Sequence, residues 1–222
     1  RAAPGSSDHG HQNAFRLATP GSIAASRGKP STAMPAGGML AVRISEDAAQ
    51  PYLGDDVSIA GVNSPQVTIL SGPHHALESA RVRLEADGVG TTPLHTSHAF
   101  HSAMMDPVLT QFAQVVSRYP LNAPTVPFYS GLTGLPITPE QAQDPRYWAQ
   151  QLRGAVRFGP AIEHVVQTPG AVFLECGPGQ NLTTSARQTI GAHGVETTGA
   201  VAIASLPHAA VTEADDAEHL GT

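Results

Sequence analysis

Val57-Ser58-Ile59-Ala60-Gly61-Val62 and Val67-Thr68-Ile69-Leu70, parted by the turn cluster Asn63-Ser64-Pro65, decide the fold. Both runs are rich in β-branched residues, and so short a break between them predicts two strands joined as a hairpin. On the N-terminal side, residues 39–44 form another β-prone run, and Ser45 stands where it can cap a short helix over 46–52 that Gly54 ends. On the C-terminal side, Leu77, Ala80 and Leu84 fall on one face of a helix predicted over 75–86 and stopped by Gly88, followed by a strand over 91–94. The order strand, helix, strand, strand, helix, strand is the split βαβ arrangement of a ferredoxin-like unit, with two helices over one face of a four-stranded sheet.

Beyond His95 the pattern stays α/β on a larger scale. Leu109, Phe112, Val116 and Tyr119 share a helical face over 106–118, and further helices are predicted over 146–152, 158–167 and 182–190. Strands are predicted over 126–130, 171–175 and 201–205, the second a continuous apolar run of the fully buried type that meets a forced turn at Gly177-Pro178-Gly179. Residues 1–37 are rich in Gly, Pro, Ser and Ala and read as loop, whereas 207–222 form an acidic tail. No internal repeat is present.

Composition narrows the function. The 222 residues suffice for one large domain or two small ones, and 41% apolar content is ordinary for a globular core. A formal charge of −6 with scattered Lys and Arg argues against a nucleic-acid footprint. No apolar run approaches the roughly 20 residues that span a bilayer, and Arg1-Ala2-Ala3-Pro4-Gly5-Ser6 does not read as a secretory signal, so a cytoplasmic location is expected. The single cysteine, Cys176, excludes an intrachain disulfide and is expected to be an inert core residue. His9-Gly10-His11 and His74-His75 lack the spacing of a zinc frame, and no metal is expected.

Chemistry concentrates in Thr96-Ser97-His98-Ala99-Phe100-His101-Ser102, followed by Met104-Met105-Asp106-Pro107. Two histidines between hydroxyls in an extended segment before a helix suit a general base. The plain structural alternative makes one histidine a helix cap and leaves the other on the surface.

That stretch resembles the acyltransferase domains of type I polyketide synthases, which are similar to malonyl-CoA:acyl carrier protein transacylases. Gly37-Gly38-Met39-Leu40-Ala41-Val42, Val62-Asn63-Ser64-Pro65, Leu70-Ser71-Gly72-Pro73, Asp144-Pro145-Arg146-Tyr147-Trp148, Val156-Arg157-Phe158, Phe173-Leu174-Glu175-Cys176-Gly177-Pro178-Gly179 and Ala204-Ser205-Leu206-Pro207 extend the likeness in colinear order. The resemblance implies an α/β fold: a partial α/β-hydrolase-like large subdomain, formed by 1–37 and 96–206, with a ferredoxin-like subdomain inserted at 38–95.

It also implies an activity. Malonyl would pass from malonyl-CoA, through an acyl-serine, to the phosphopantetheine thiol of an acyl carrier protein, with ketosynthase and linker domains as neighbours and no bound cofactor. His101 matches the base, oriented by a backbone carbonyl that falls on Gln151, or on Gln150 if the alignment slips by one. Arg27 matches the arginine that grips the free carboxylate of malonyl with a two-pronged fork. His98-Ala99-Phe100-His101 resembles the malonyl form of the specificity tetrad, in which the Phe100 ring takes the space an α-methyl group needs. Pro30-Ser31-Thr32 departs from the family pattern close to Arg27.

The family nucleophile lies in Gly-His-Ser-x-Gly, and no Gly-x-Ser-x-Gly occurs in this sequence; Ser6 and Ser7 are the hydroxyls nearest the expected position. The chain is therefore expected not to acylate itself and to be marginally stable alone. Two other readings compete: a non-catalytic docking or spacer remnant of a synthase module, and an acyl-thioester hydrolase of similar fold.

Overall fold

The computed structural model describes residues 36–96, 98–194 and 199–206. Strands β1 (Gly37–Val42), β2 (Ser58–Ser64), β3 (Val67–Pro73) and β4 (Thr91–Leu94) form one sheet in the order β2-β3-β1-β4, with every neighbouring pair antiparallel. Helix α1 (Glu46–Ala49), continued by a 3-10 turn over Gln50–Tyr52, leads from β1 to β2, and α2 (His74–Ala86) leads from β3 to β4. The Ser45 hydroxyl caps α1 by accepting the Ala48 N–H, as its position in the sequence predicts. Gly88, at φ 78°, takes the left-handed conformation that ends α2.

Leu77 and Leu84 of α2 and Ala49 of α1 meet Leu40, Val42 and Leu70 of the sheet in one apolar cluster. Each leucine buried there contributes about 1.5–3 kcal/mol. The hairpin and the two helices thus share a single core, as the alternation of apolar residues requires.

The second half is built from α3 (Asp106–Val116), α4 (Pro139–Gln143), α5 (Pro145–Arg153), α6 (Phe158–Val166), β5 (Val172–Pro178), α7 (Asn181–His193) and β6 (Val201–Leu206). Val116, Ile137, Tyr147 and Trp148 form one cluster; Ile162, Val166, Ala186, Ile190 and Ala202 form another under the parallel pair β5–β6.

Three expectations need correction. Residues 126–130 are not a strand: prolines at 124 and 127 withhold ladder donors, Val126 is exposed, and only Tyr129 makes an isolated bridge, to Pro136. The strand read over 171–175 is not buried on both faces; Val172 and Leu174 point outward on β5, beside Val201 and Ile203 of β6. Helix α3 stops at Val116, leaving Tyr119 exposed. The sequence reading also missed α4, whose capping box joins Thr138 and Gln141 in both directions.

One seam joins the halves. Val156 donates its N–H to the Ala60 carbonyl and accepts the Val62 N–H, both at 2.8 Å, extending the edge of β2 by one residue. Beside it, Arg157 pairs with Glu46, and the Ser64 hydroxyl donates to the Gln188 side chain at 2.7 Å.

Candidate active site

The chain leaves β4 at Leu94 and must turn sharply to enter α3. Ser102, fully buried, fixes that turn: its hydroxyl donates to the Ala99 carbonyl at 2.7 Å and accepts the Met104 N–H at 3.2 Å. Ala99 is buried against Gly37, and His98 meets the Phe100 ring edge-on with centroids 6.0 Å apart. Between Phe100 and Ser102, His101 adopts φ 58°, alone in the left-handed region among the described non-glycine residues. For a residue with a β-carbon this costs roughly 1–2 kcal/mol, so the surroundings must impose it.

The imidazole is half-buried. Its Nδ1 lies 2.8 Å from the carbonyl oxygen of Gly154, the residue that ends α5. A carbonyl only accepts, so Nδ1 carries the proton and the neutral ring keeps Nε2 bare. Burial pushes the His101 pKa below the ordinary histidine value, against the opposing pull of the Gly154 and Gln151 carbonyls. A neutral imidazole with a fixed tautomer and an unprotonated Nε2 can accept a proton at neutral pH.

The orienting carbonyl therefore belongs chiefly to Gly154, three residues beyond the expected Gln151. Gln151 contributes through its own backbone, while its side-chain amide lies toward Gly131. Gln150 faces elsewhere: with Leu109, Ala113, Asp144 and Arg146 it lines an open groove of about 520 Å³ between α3 and α5, which His101 does not line. Gly154 carries no sequence signal of its own. Arg27, Ser6 and Ser7 lie outside the described residues, as does Ser97.

Glu175 proves to be structural. Its carboxylate accepts the N–H of Leu182 at 3.2 Å and both the N–H and hydroxyl of Thr183, at 2.8 and 2.7 Å, so it caps α7 from the neighbouring strand. Burial pushes its pKa up, but these hydrogen bonds outweigh burial and hold it below the usual carboxylate value. Cys176 is exposed rather than an inert core residue. Among the described residues no three His, Cys, Asp or Glu side chains gather as metal ligands, and no helix is long and apolar enough to cross a membrane.

Comparison with known proteins decides the family. The family described as "Acyl transferase domain" matches residues 21–214. The chain belongs to that family. Its acyltransferase domain is of the kind carried by type I polyketide synthases. It is 39% identical over 170 residues to the "Putative inactive phenolphthiocerol synthesis polyketide synthase type I Pks1" of Mycobacterium tuberculosis, covering 76% of this chain and 10% of that protein. Among solved structures, the acyltransferase domain of SpnD, in complex with 2-(pent-4-yn-1-yl)malonyl, superposes with a TM-score of 0.77 at 32% identity, covering 84% of this chain and 45% of that one. The malonyl CoA-acyl carrier protein transacylase of Burkholderia pseudomallei follows with a TM-score of 0.62 at 26% identity, covering 70% and 57%. The chain thus spans about a tenth of that synthase and less than half of the SpnD domain. The mixed α/β fold of this acyltransferase domain matches these structures.

Proposed function

We propose that this domain transfers a malonyl unit from malonyl-CoA to the phosphopantetheine thiol of an acyl carrier protein, with His101 as general base. The observation that carries the reading is the Nδ1 hydrogen bond to Gly154, which leaves Nε2 unprotonated in a half-buried, neutral ring. In this chemistry Nε2 accepts the proton of a serine hydroxyl as its oxygen adds to the thioester carbonyl. It returns that proton to the departing coenzyme A thiolate. In the second half, it takes the proton of the incoming pantetheine thiol as that sulfur adds to the acyl-serine carbonyl, and passes it to the serine oxygen as the ester C–O bond breaks.

Selectivity for malonyl is assigned to His98, Ala99 and Phe100, and the grip on the free carboxylate to Arg27. The edge-on contact with His98 braces the Phe100 ring, and excluding one methyl group is worth about 1–3 kcal/mol. A solved relative named for malonyl transfer and another holding a substituted malonyl group support a dicarboxylic substrate. The substrate is malonyl-CoA with no bound cofactor, and the partners are a carrier protein and neighbouring ketosynthase and linker domains. The sheet β1–β4 with α1 and α2, residues 38–95, is assigned as a ferredoxin-like insertion in an α/β-hydrolase-like unit to which 1–37 and 96–206 contribute, with 207–222 as linker.

The test is malonyl transfer to a carrier protein by the polypeptide that bears this domain, read by the intact mass of the carrier. His101→Ala is expected to lower the rate by about 10²–10⁴-fold. Undiminished transfer by that variant would refute the assignment.

A further inference from the structure

The loop after Phe128 folds back on itself. Ser130 donates its N–H to the Leu135 carbonyl, and its carbonyl accepts the Gly134 N–H, both at 2.8 Å. The Ser130 hydroxyl, 1% exposed, accepts the N–H groups of Leu132 at 3.0 Å and Thr133 at 3.2 Å and shares a further hydrogen bond with the Tyr147 hydroxyl of α5. With three partners it is close to saturated, and a buried hydroxyl so placed holds the turn in one shape.

That turn meets the segment behind His101 at three points, two on its backbone and one on the Gln151 side chain. The Leu132 side chain lies so close to Gly154 that a β-carbon there would overlap its Cδ1. The Gly131 carbonyl accepts the Arg157 N–H at 2.7 Å, and a β-carbon on Gly131 would stand 3.1 Å from Nε2 of Gln151. One loop therefore presses on residues 151, 154 and 157 together, and its shape depends on the hydrogen bond between Ser130 and Tyr147.

We propose that Ser130 and Tyr147 are positioning residues for His101: their shared hydrogen bond fixes the turn over 131–134, and Leu132 transmits that fixity to the Gly154 carbonyl that holds the Nδ1 proton. The inference deepens the reading of His101 as base, but the experiment needs no turnover. The full 222-residue chain, labelled with ¹⁵N-histidine, reports the His101 tautomer by NMR. The unaltered chain is expected to show the Nδ1–H form. Tyr147→Phe keeps the ring and removes only the hydroxyl, and should shift the tautomer ratio toward Nε2–H by up to about tenfold, the net worth of one neutral hydrogen bond. Tyr52→Phe, which removes a hydroxyl bonded to Asp87 on the surface, should leave the His101 signals unmoved.

A melt of each variant checks folding. If Tyr147→Phe unfolds, Leu132→Ala decides, because it leaves both hydroxyls in place and frees Gly154; it should give the same tautomer shift. Folded variants with unchanged His101 spectra, or an Nε2–H form in the unaltered chain, would overturn the proposal. Failure of the base assignment shows separately, as malonyl transfer that survives His101→Ala.

Discussion

Gly37 and Ala99 meet where the first strand of the sheet passes beneath the segment that carries His101: a β-carbon on Gly37 would stand 2.8 Å from that of Ala99, 2.9 Å from the Gly72 carbonyl and 3.0 Å from Met104 Sδ. Two of these neighbours belong to the segment around His101, so the glycine sets how closely the sheet and that segment approach. Gly37→Ala is expected to destabilise the fold by about 1–3 kcal/mol through overpacking, read as a fall in urea midpoint with an unchanged slope. An unchanged midpoint would show that the segment gives way without cost.

His101 itself separates fold from chemistry. Asn tolerates the left-handed region and β-branched residues do not, so His101→Asn should melt within a few degrees of the parent while His101→Val loses about 1–2 kcal/mol. Equal stabilities would mean that the surroundings do not enforce the backbone angle.

Protonation of His101 gives a second handle. Its pKa is depressed on folding, so the unfolded chain binds the proton more readily. Its contribution to stability is complete above the unfolded value near 6.5 and is lost as pH falls through the folded value. An NMR titration should place the His101 midpoint below 6.5; a midpoint above it would contradict the dominance of burial.

Glu175 titrates in a similar sense at lower pH. Its folded pKa lies below the usual carboxylate value, so the stability it contributes is present above about 4.3 and disappears as pH falls through the folded value. Glu175→Ala leaves three donors at the start of α7 without their acceptor and should cost about 1 kcal/mol at neutral pH, with the difference from the parent shrinking in acid. A pH-independent difference would remove the carboxylate from the account.

Across the seam, Glu46 and Arg157 each keep about a third of their side chains exposed, at 29% and 32%. A double-mutant cycle with Glu46→Gln and Arg157→Gln is expected to give a coupling of about 0.2–1 kcal/mol that declines with added salt. A coupling insensitive to salt would point to packing rather than charge.

Much of this was legible in the residues because local signals agreed with the final packing. The six elements from β1 to β4 follow from alternation, a hydroxyl cap at Ser45 and glycine stops, and His101 stood out by its company of His98 and Phe100. Partners distant in sequence were not legible. The carbonyl that orients His101 sits 53 residues away and belongs to a glycine with no side-chain signature. Nor does sequence show how many neighbours a strand will have: the apolar run of β5 suits burial on both faces, yet among the described strands only β6 pairs with it. Helix α4 is a different case, since Thr138-Pro139 followed by Gln141 is a start signal in plain view, obscured only by the brevity of the helix.

Because Val156 places both its amide and its carbonyl in β2, the two halves of the molecule share one pair of backbone protons at their boundary. Deuterium should enter the amides of Val62 and Val156 in concert, at a rate that reports a single opening event. The boundary then behaves as a clasp that is either shut or open, and the sheet and the helices behind His101 gain or lose their protection together.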